Sequence, residues 1–147
     1  MTSKVMNVLL LLVVSIALIL GAGYFAYQTT NQGADRKQTV PEFLGLQPIP
    51  SLKSILIGMS VGLVFGFIDN LGLYYGMKAF GPYLPKDPLL AAGLGNTFSN
   101  SIGVFLATFV GVIISNKSNV DNYSIVSEAG GMILGCLLGT YLPRLFL

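Results

Sequence analysis

Two carboxylates and three amides lie where the chain is otherwise apolar. Asp69 and Asn70 sit in GLVFGFIDNLGLYYG (Gly62–Gly76), Asn96 and Asn100 in GLGNTFSNS, and Glu128 in SIVSEAGG. An ionisable group inside a bilayer is costly, so it marks ion or proton chemistry, or a polar contact that a neighbouring helix needs. On the first reading Asp69 or Glu128 binds a cation or carries a proton, and Asn96, Thr97, Ser99, Asn100 and Ser101 line a polar path. On the second, Asp69 stays uncharged and hydrogen-bonds the adjacent helix, where Asn96 or Asn100 could answer it. No Lys or Arg lies within a helical turn of Asp69; Lys78 is nine residues on. Glu128 lies near the start of its apolar segment, which favours the membrane interface and a packing role.

Other chemistries find no residues. The chain has no His, which removes the usual neutral-pH proton shuttle and the commonest metal ligand. Its one cysteine, Cys136, cannot form an intrachain disulfide and reads as a small packed hydrophobe. Neither a nucleophile with a base, a metal cluster nor a phosphate loop is present, so the reading is non-enzymatic, with no cofactor or metal. A net charge of +2 is too small to argue for nucleic acid.

These residues must be positioned by membrane-spanning elements. The 147 residues are 53% hydrophobic and only 10% charged, against about 25% charged in soluble domains. Spanning the hydrocarbon takes about 20 mostly apolar residues. Val5 to Tyr27, Ser54 to Phe80, Leu89 to Ser115 and Ser124 to Leu142 qualify. The expected fold is an all-α polytopic membrane protein of four transmembrane helices with glycine-stripe packing. Residues 1–27 form an N-terminal anchor, 28–53 a polar loop, and 54–147 a three-helix glycine-rich bundle. The first segment resembles a signal peptide, but its apolar run continues through YFAY beyond signal-peptide length, so an uncleaved anchor is expected.

The prolines of GPYLPKDP break the chain and make the second and third helices an antiparallel hairpin. Phe43, Leu44 and Leu46 in the first loop read as ordinary loop packing. Asn116-Lys117-Ser118 and Asn122-Tyr123-Ser124 match the glycosylation tripeptide, but both abut a membrane helix. Lysines and arginines tie on the two sides of the membrane, which leaves orientation open.

At 100° per residue, Gly58, Gly62, Gly66, Gly72 and Gly76 share about 120° of arc with Asp69. The third segment groups Gly93, Asn96, Asn100, Gly103, Ala107 and Gly111 opposite Phe98, Ile102, Phe105, Phe109 and Ile113. The fourth groups Ser124, Glu128, Gly131, Gly135 and Gly139. Small residues let helix backbones approach in lipid, where burying leucine gains little. The expected tightest pair is the hairpin, with Gly58/Gly62/Gly66 facing Gly103/Ala107/Gly111. The first helix lacks such a stripe and is expected to be peripheral. A weak internal repeat aligns Asp69/Asn100, Gly72/Gly103 and Gly76/Ala107, and Glu128, Gly131 and Gly135 keep its core.

The string DNLGLYYGMKAFGPYLPKDPLLAAGLGNTFSNSIGVFLATFVG, Asp69 to Gly111, resembles small polytopic membrane proteins of large DNA viruses of algae and protists. The resemblance rests on DN, GM, DP and GLGNTFSN. It implies a virion inner-membrane component that links bilayer and capsid, and it carries no site residues. The leading expectation is a structural or assembly membrane protein, with the lipid bilayer, membrane or capsid proteins, or copies of itself as partners. The alternatives are a small oligomeric ion or proton channel using Asp69, and an accessory subunit of a larger membrane complex.

Overall fold

The computed structural model describes residues 3–84, 86–118 and 123–146. It is helical, with no strand among the described residues. The elements are α1 (Ser3–Asn31), α2 (Val40–Phe43), α3 (Leu52–Phe80), α4 (Pro88–Ser118) and α5 (Ile125–Phe146). Four of them, α1, α3, α4 and α5, are long and apolar enough to cross a membrane. The protein is an integral membrane protein by that criterion.

Two compact units divide the chain, Met1–Phe43 and Leu44–Leu147. The boundary falls ten residues earlier than the sequence suggests. The reason is that Leu44 and Gly45 are held by the second unit: the Ser124 hydroxyl donates to the Leu44 carbonyl at 3.2 Å. Gly45 has φ +69°, and a Cβ there would lie 2.9 Å from the Ser124 Cα, so both conformation and space require glycine.

In the first unit α1 runs to Asn31, four residues past the expected end. Its large side chains, Leu18, Ile19 and Leu20 among them, are exposed. The polar segment after it is structured by local bonds. Asn31 Oδ1 accepts from the Gln38 amide at 2.6 Å, and Tyr27 donates to the Gln38 carbonyl at 3.0 Å. Glu42 accepts from the Thr39 amide at 2.7 Å and pairs with Arg36 at 2.7 Å.

In the second unit α3 is the central element, and both α4 and α5 pack along it. Ser51 caps α3 by accepting from the Ser54 amide at 3.2 Å. Asp87 starts α4 in the same way, accepting from the Leu90 amide at 2.9 Å. On α4 every fourth residue from Ala91 to Gly111 is buried: Ala91, Gly95, Ser99, Gly103, Ala107 and Gly111. On α5 the buried row is Gly131, Gly135, Gly139 and Pro143. Phe98, Ile102, Phe105, Phe109 and Ile113 all point outward, each more than half exposed.

The facing of the stripes differs from expectation. Gly58, Gly62 and Gly66 lie against α5, not α4: a Cβ on Gly62 would strike the Glu128 carbonyl, and one on Gly66 the Met132 carbonyl. In return, Gly131, Gly135 and Gly139 lie against the backbone of Met59, Leu63 and Phe67. The glycines of α3 that touch α4 lie further along the helix, where Gly72 meets Ser99 and Gly76 meets Gly95. Gly103 receives Phe65 and Ile68, and Gly111 receives Val61. The single arc on the helical wheel is thus two rows, one for each neighbour. Gly93, assigned to the packing face, is exposed, with nothing within 4 Å of the position of a Cβ. A plot at 100° per residue smears a row spaced by four, and so misplaces its ends.

Candidate functional site

The polar residues of the bundle meet about midway along α3, which touches α4 and α5 on either side of this point. Gly66 lies against α5 and Gly72 against α4. Asp69 falls between these two positions on the turn of the helix, in the seam that α3 shares with both neighbours. Nothing in local propensity favours an aspartate in the middle of a 29-residue helix; its place is set by what surrounds it.

Each neighbour contributes to the cluster. From α4, the buried Ser99 hydroxyl is 3.2 Å from the backbone carbonyl of Asp69 and 3.1 Å from that of Asn96. From α5, the Thr140 hydroxyl is 3.2 Å from Asn70 Oδ1 and 2.8 Å from the carbonyl of Cys136 on its own helix. Asn70 donates back to the Gly66 carbonyl at 3.3 Å. The Cys136 thiol lies beside Asn70 and within electrostatic reach of Asp69. The cluster is therefore Asp69, Asn70, Ser99, Cys136 and Thr140, with Asn100 next to Ser99 in the sequence of α4.

Two atoms in it stand out. Asp69 Oδ1 and Asn100 Oδ1 are buried and have no hydrogen-bond partner among the described residues. Buried polar atoms are nearly always paired, and an exception calls for a specific cause such as an ion or a water. The same two positions align in the internal repeat of α3 and α4. Both atoms are acceptors unless Asp69 is protonated, so each calls for a donor or a cation.

The other residues singled out in the sequence fall elsewhere. Glu128 is half-buried at the opposite part of α3, where its backbone carbonyl covers Gly62. Burial, and then the Glu128 carboxylate, push the Tyr123 hydroxyl up from its ordinary value. Thr97 and Ser101 are exposed on α4 and bond to the carbonyls of Gly93 and Thr97 on their own helix, so they line no interior path. Asn96 is half-buried. Asn116 lies in the last turn of α4, and the tripeptide at Asn122 begins outside the described residues.

Thr140 and Cys136 are the residues that sequence reasoning missed. Their signal was available: Cys136 and Thr140 follow Gly135 and Gly139 directly, so they flank the packing row by one position. Among the described residues no group of three His, Cys, Asp or Glu could hold a metal ion. The groups at the cluster are instead one carboxylate with amide, hydroxyl and backbone oxygens, beside the Cys136 thiol; the oxygens are hard donors of the kind that take a proton or a hard cation. None of the protein-family models, curated proteins or solved structures with which the chain was compared matches it.

Proposed function

We propose that this membrane protein binds and moves a cation or proton through its bundle at Asp69 and Asn100. The observation that carries the reading is two buried oxygens, Asp69 Oδ1 and Asn100 Oδ1, with no hydrogen-bond partner among the described residues. A purely structural aspartate would be satisfied by donors from the adjacent helix. Here the nearby donors Ser99 and Thr140 are spent on a backbone carbonyl and on Asn70. The packed small residues act as a zipper that holds the three helices close enough to strip water from the site.

The test is cation and proton flux into vesicles containing the full chain, read with dyes for sodium, potassium, calcium and pH. At least one flux is expected. It is lost in Asp69→Asn and reduced in Asn100→Ala while helical circular dichroism is unchanged. Absence of every flux in the wild type, or a flux indifferent to Asp69→Asn, overturns the reading.

A second reading, a non-enzymatic assembly protein, is favoured by the outward row Phe98, Ile102, Phe105, Phe109 and Ile113. Such a face suits another membrane protein, a second copy, or an accessory role in a larger complex. The resemblance to viral membrane proteins would make that bilayer a virion inner membrane and the partner a capsid component.

A further inference from the structure

What surrounds the carboxyl of Asp69 narrows the ion it can take. Asp69 is half-buried on α3, and its Oδ1 is enclosed with no hydrogen-bond partner among the described residues. α4 and α5 both pack on α3 and hardly on each other, and Asp69 retains some exposed surface.

A metal cation at this position needs a cage of oxygens: about six to eight for calcium, an octahedron for magnesium, rings of backbone carbonyls for potassium. Broken helices supply such carbonyls at ion sites inside membranes. Here α3 is continuous from Leu52 to Phe80, and α4 from Pro88 to Ser118. Pro143 on α5 has no N–H, which frees the Gly139 carbonyl, a single oxygen. Other oxygens of the cluster are engaged. The Ser99 hydroxyl is 3.2 Å from the Asp69 carbonyl, and the Thr140 hydroxyl 3.2 Å from Asn70 Oδ1. Asn70 in turn donates to the Gly66 carbonyl at 3.3 Å.

The charges point the same way. From α5 the one titratable group beside Asp69 is the Cys136 thiol. From α4 come Ser99 and, next to it in sequence, Asn100, neither of which titrates. On α3 the nearest charged residue is Lys78, whose ammonium stands 4.9 Å over the Tyr74 ring. Glu128 lies further back along α3, against Gly62. A lone carboxylate balances one positive charge, and a divalent ion would leave a net charge in hydrocarbon. A proton needs no cage. It bonds to one carboxyl oxygen, cancels the charge, and turns the acid into a donor as well as an acceptor.

We infer that the ion taken at Asp69 is the proton and not a metal cation, an inference that rests on the reading of Asp69 as the ion site.

Dicyclohexylcarbodiimide tests it on the full chain in lipid vesicles. This apolar reagent partitions into the bilayer and reacts with a protonated carboxyl. The acid proton goes to one carbodiimide nitrogen and the carboxyl oxygen bonds to the central carbon. Acyl transfer from oxygen to nitrogen then leaves a stable N-acylurea, with no group lost, so mass spectrometry reads the whole reagent added at Asp69. Labelling of Asp69 is expected to fall several-fold as pH is raised. It should be unchanged by sodium, potassium or calcium at constant ionic strength, absent in Asp69→Asn, and retained in Glu128→Gln. Protection of Asp69 by any of these cations overturns the inference, and so does an Asp69 unlabelled at every pH. In the vesicle flux assay, an Asp69-dependent flux of sodium, potassium or calcium overturns it too, while leaving Asp69 as the ion site. A silent wild type with Asp69 still labelled and unprotected has the opposite meaning: Asp69 binds a proton without moving it, and only the transport reading falls.

Discussion

The hydroxyl of Ser99 on α4 lies 3.2 Å from the backbone carbonyl of Asp69 on α3, thirty residues away in sequence. Ser99 can come this close because Gly72, one turn along α3, has no side chain to hold it off; a Cβ there would collide with the serine. Polar contacts of this kind between membrane helices are worth about 0.6 kcal/mol on average, and up to about 1.7. Ser99→Ala should therefore destabilise the bundle by about that much. Ser99→Leu should cost more, because bulk enters a backbone contact. Unfolding by denaturing detergent measures both, and a leucine variant as stable as the alanine one would contradict the close contact.

The glycines separate into two classes. Gly62, Gly66, Gly131 and Gly135 face backbone atoms, whereas Gly93 and Gly130 face open space. Gly62→Ala and Gly135→Ala should disrupt the pairing of α3 with α5. Gly93→Ala and Gly130→Ala should be neutral or stabilising, since alanine is about 0.5–1 kcal/mol better than glycine inside a helix. Thermal stability in detergent distinguishes the classes, and equal effects across them would refute the assigned facing.

Thr140 and Asn70 join α5 to α3 through one side-chain hydrogen bond of 3.2 Å. A double-mutant cycle with Thr140→Val and Asn70→Ala should show a coupling of roughly 0.6 kcal/mol. Strict additivity would mean that the bond contributes nothing measurable. Because Asn70 adjoins Asp69, the same variants should also alter any Asp69-dependent flux.

Outside the membrane segments, Glu42 provides a pH test. The Thr39 amide, then the Thr39 hydroxyl, hold its carboxyl below the ordinary value of 4.5; burial opposes them, and Arg36 adds the smallest lowering effect. A carboxylate with a lowered folded-state pKa contributes stability that is present above its unfolded value and is lost as pH falls through the folded one. The turn at residues 36–43 should therefore hold at neutral pH and loosen only below about pH 4.5. Nuclear magnetic resonance titration of the Thr39 amide should follow Glu42, and Glu42→Gln should abolish the transition.

The composition alone set the solvent. A chain with this few charges cannot cover a water-facing surface, so four apolar helices and their approximate ends follow from elementary transfer energetics. The outward row from Phe98 to Ile113 was equally legible, because bulky residues in lipid need no partner and periodicity alone places them. What the sequence could not assign was which neighbour each small residue meets. A glycine states that something comes close, but carries no side chain whose chemistry names the partner. Gly58, Gly62 and Gly66 could suit any small-residue row, and short-loop reasoning chose the wrong one. The tertiary structure decided it by running α3 between two helices, with one row of notches for each. That arrangement sets Asp69 between the two rows, brings Ser99 in from α4 and Thr140 from α5, and leaves two oxygens without partners among the described residues. Such a site depends on three helices at once, and no single segment encodes it.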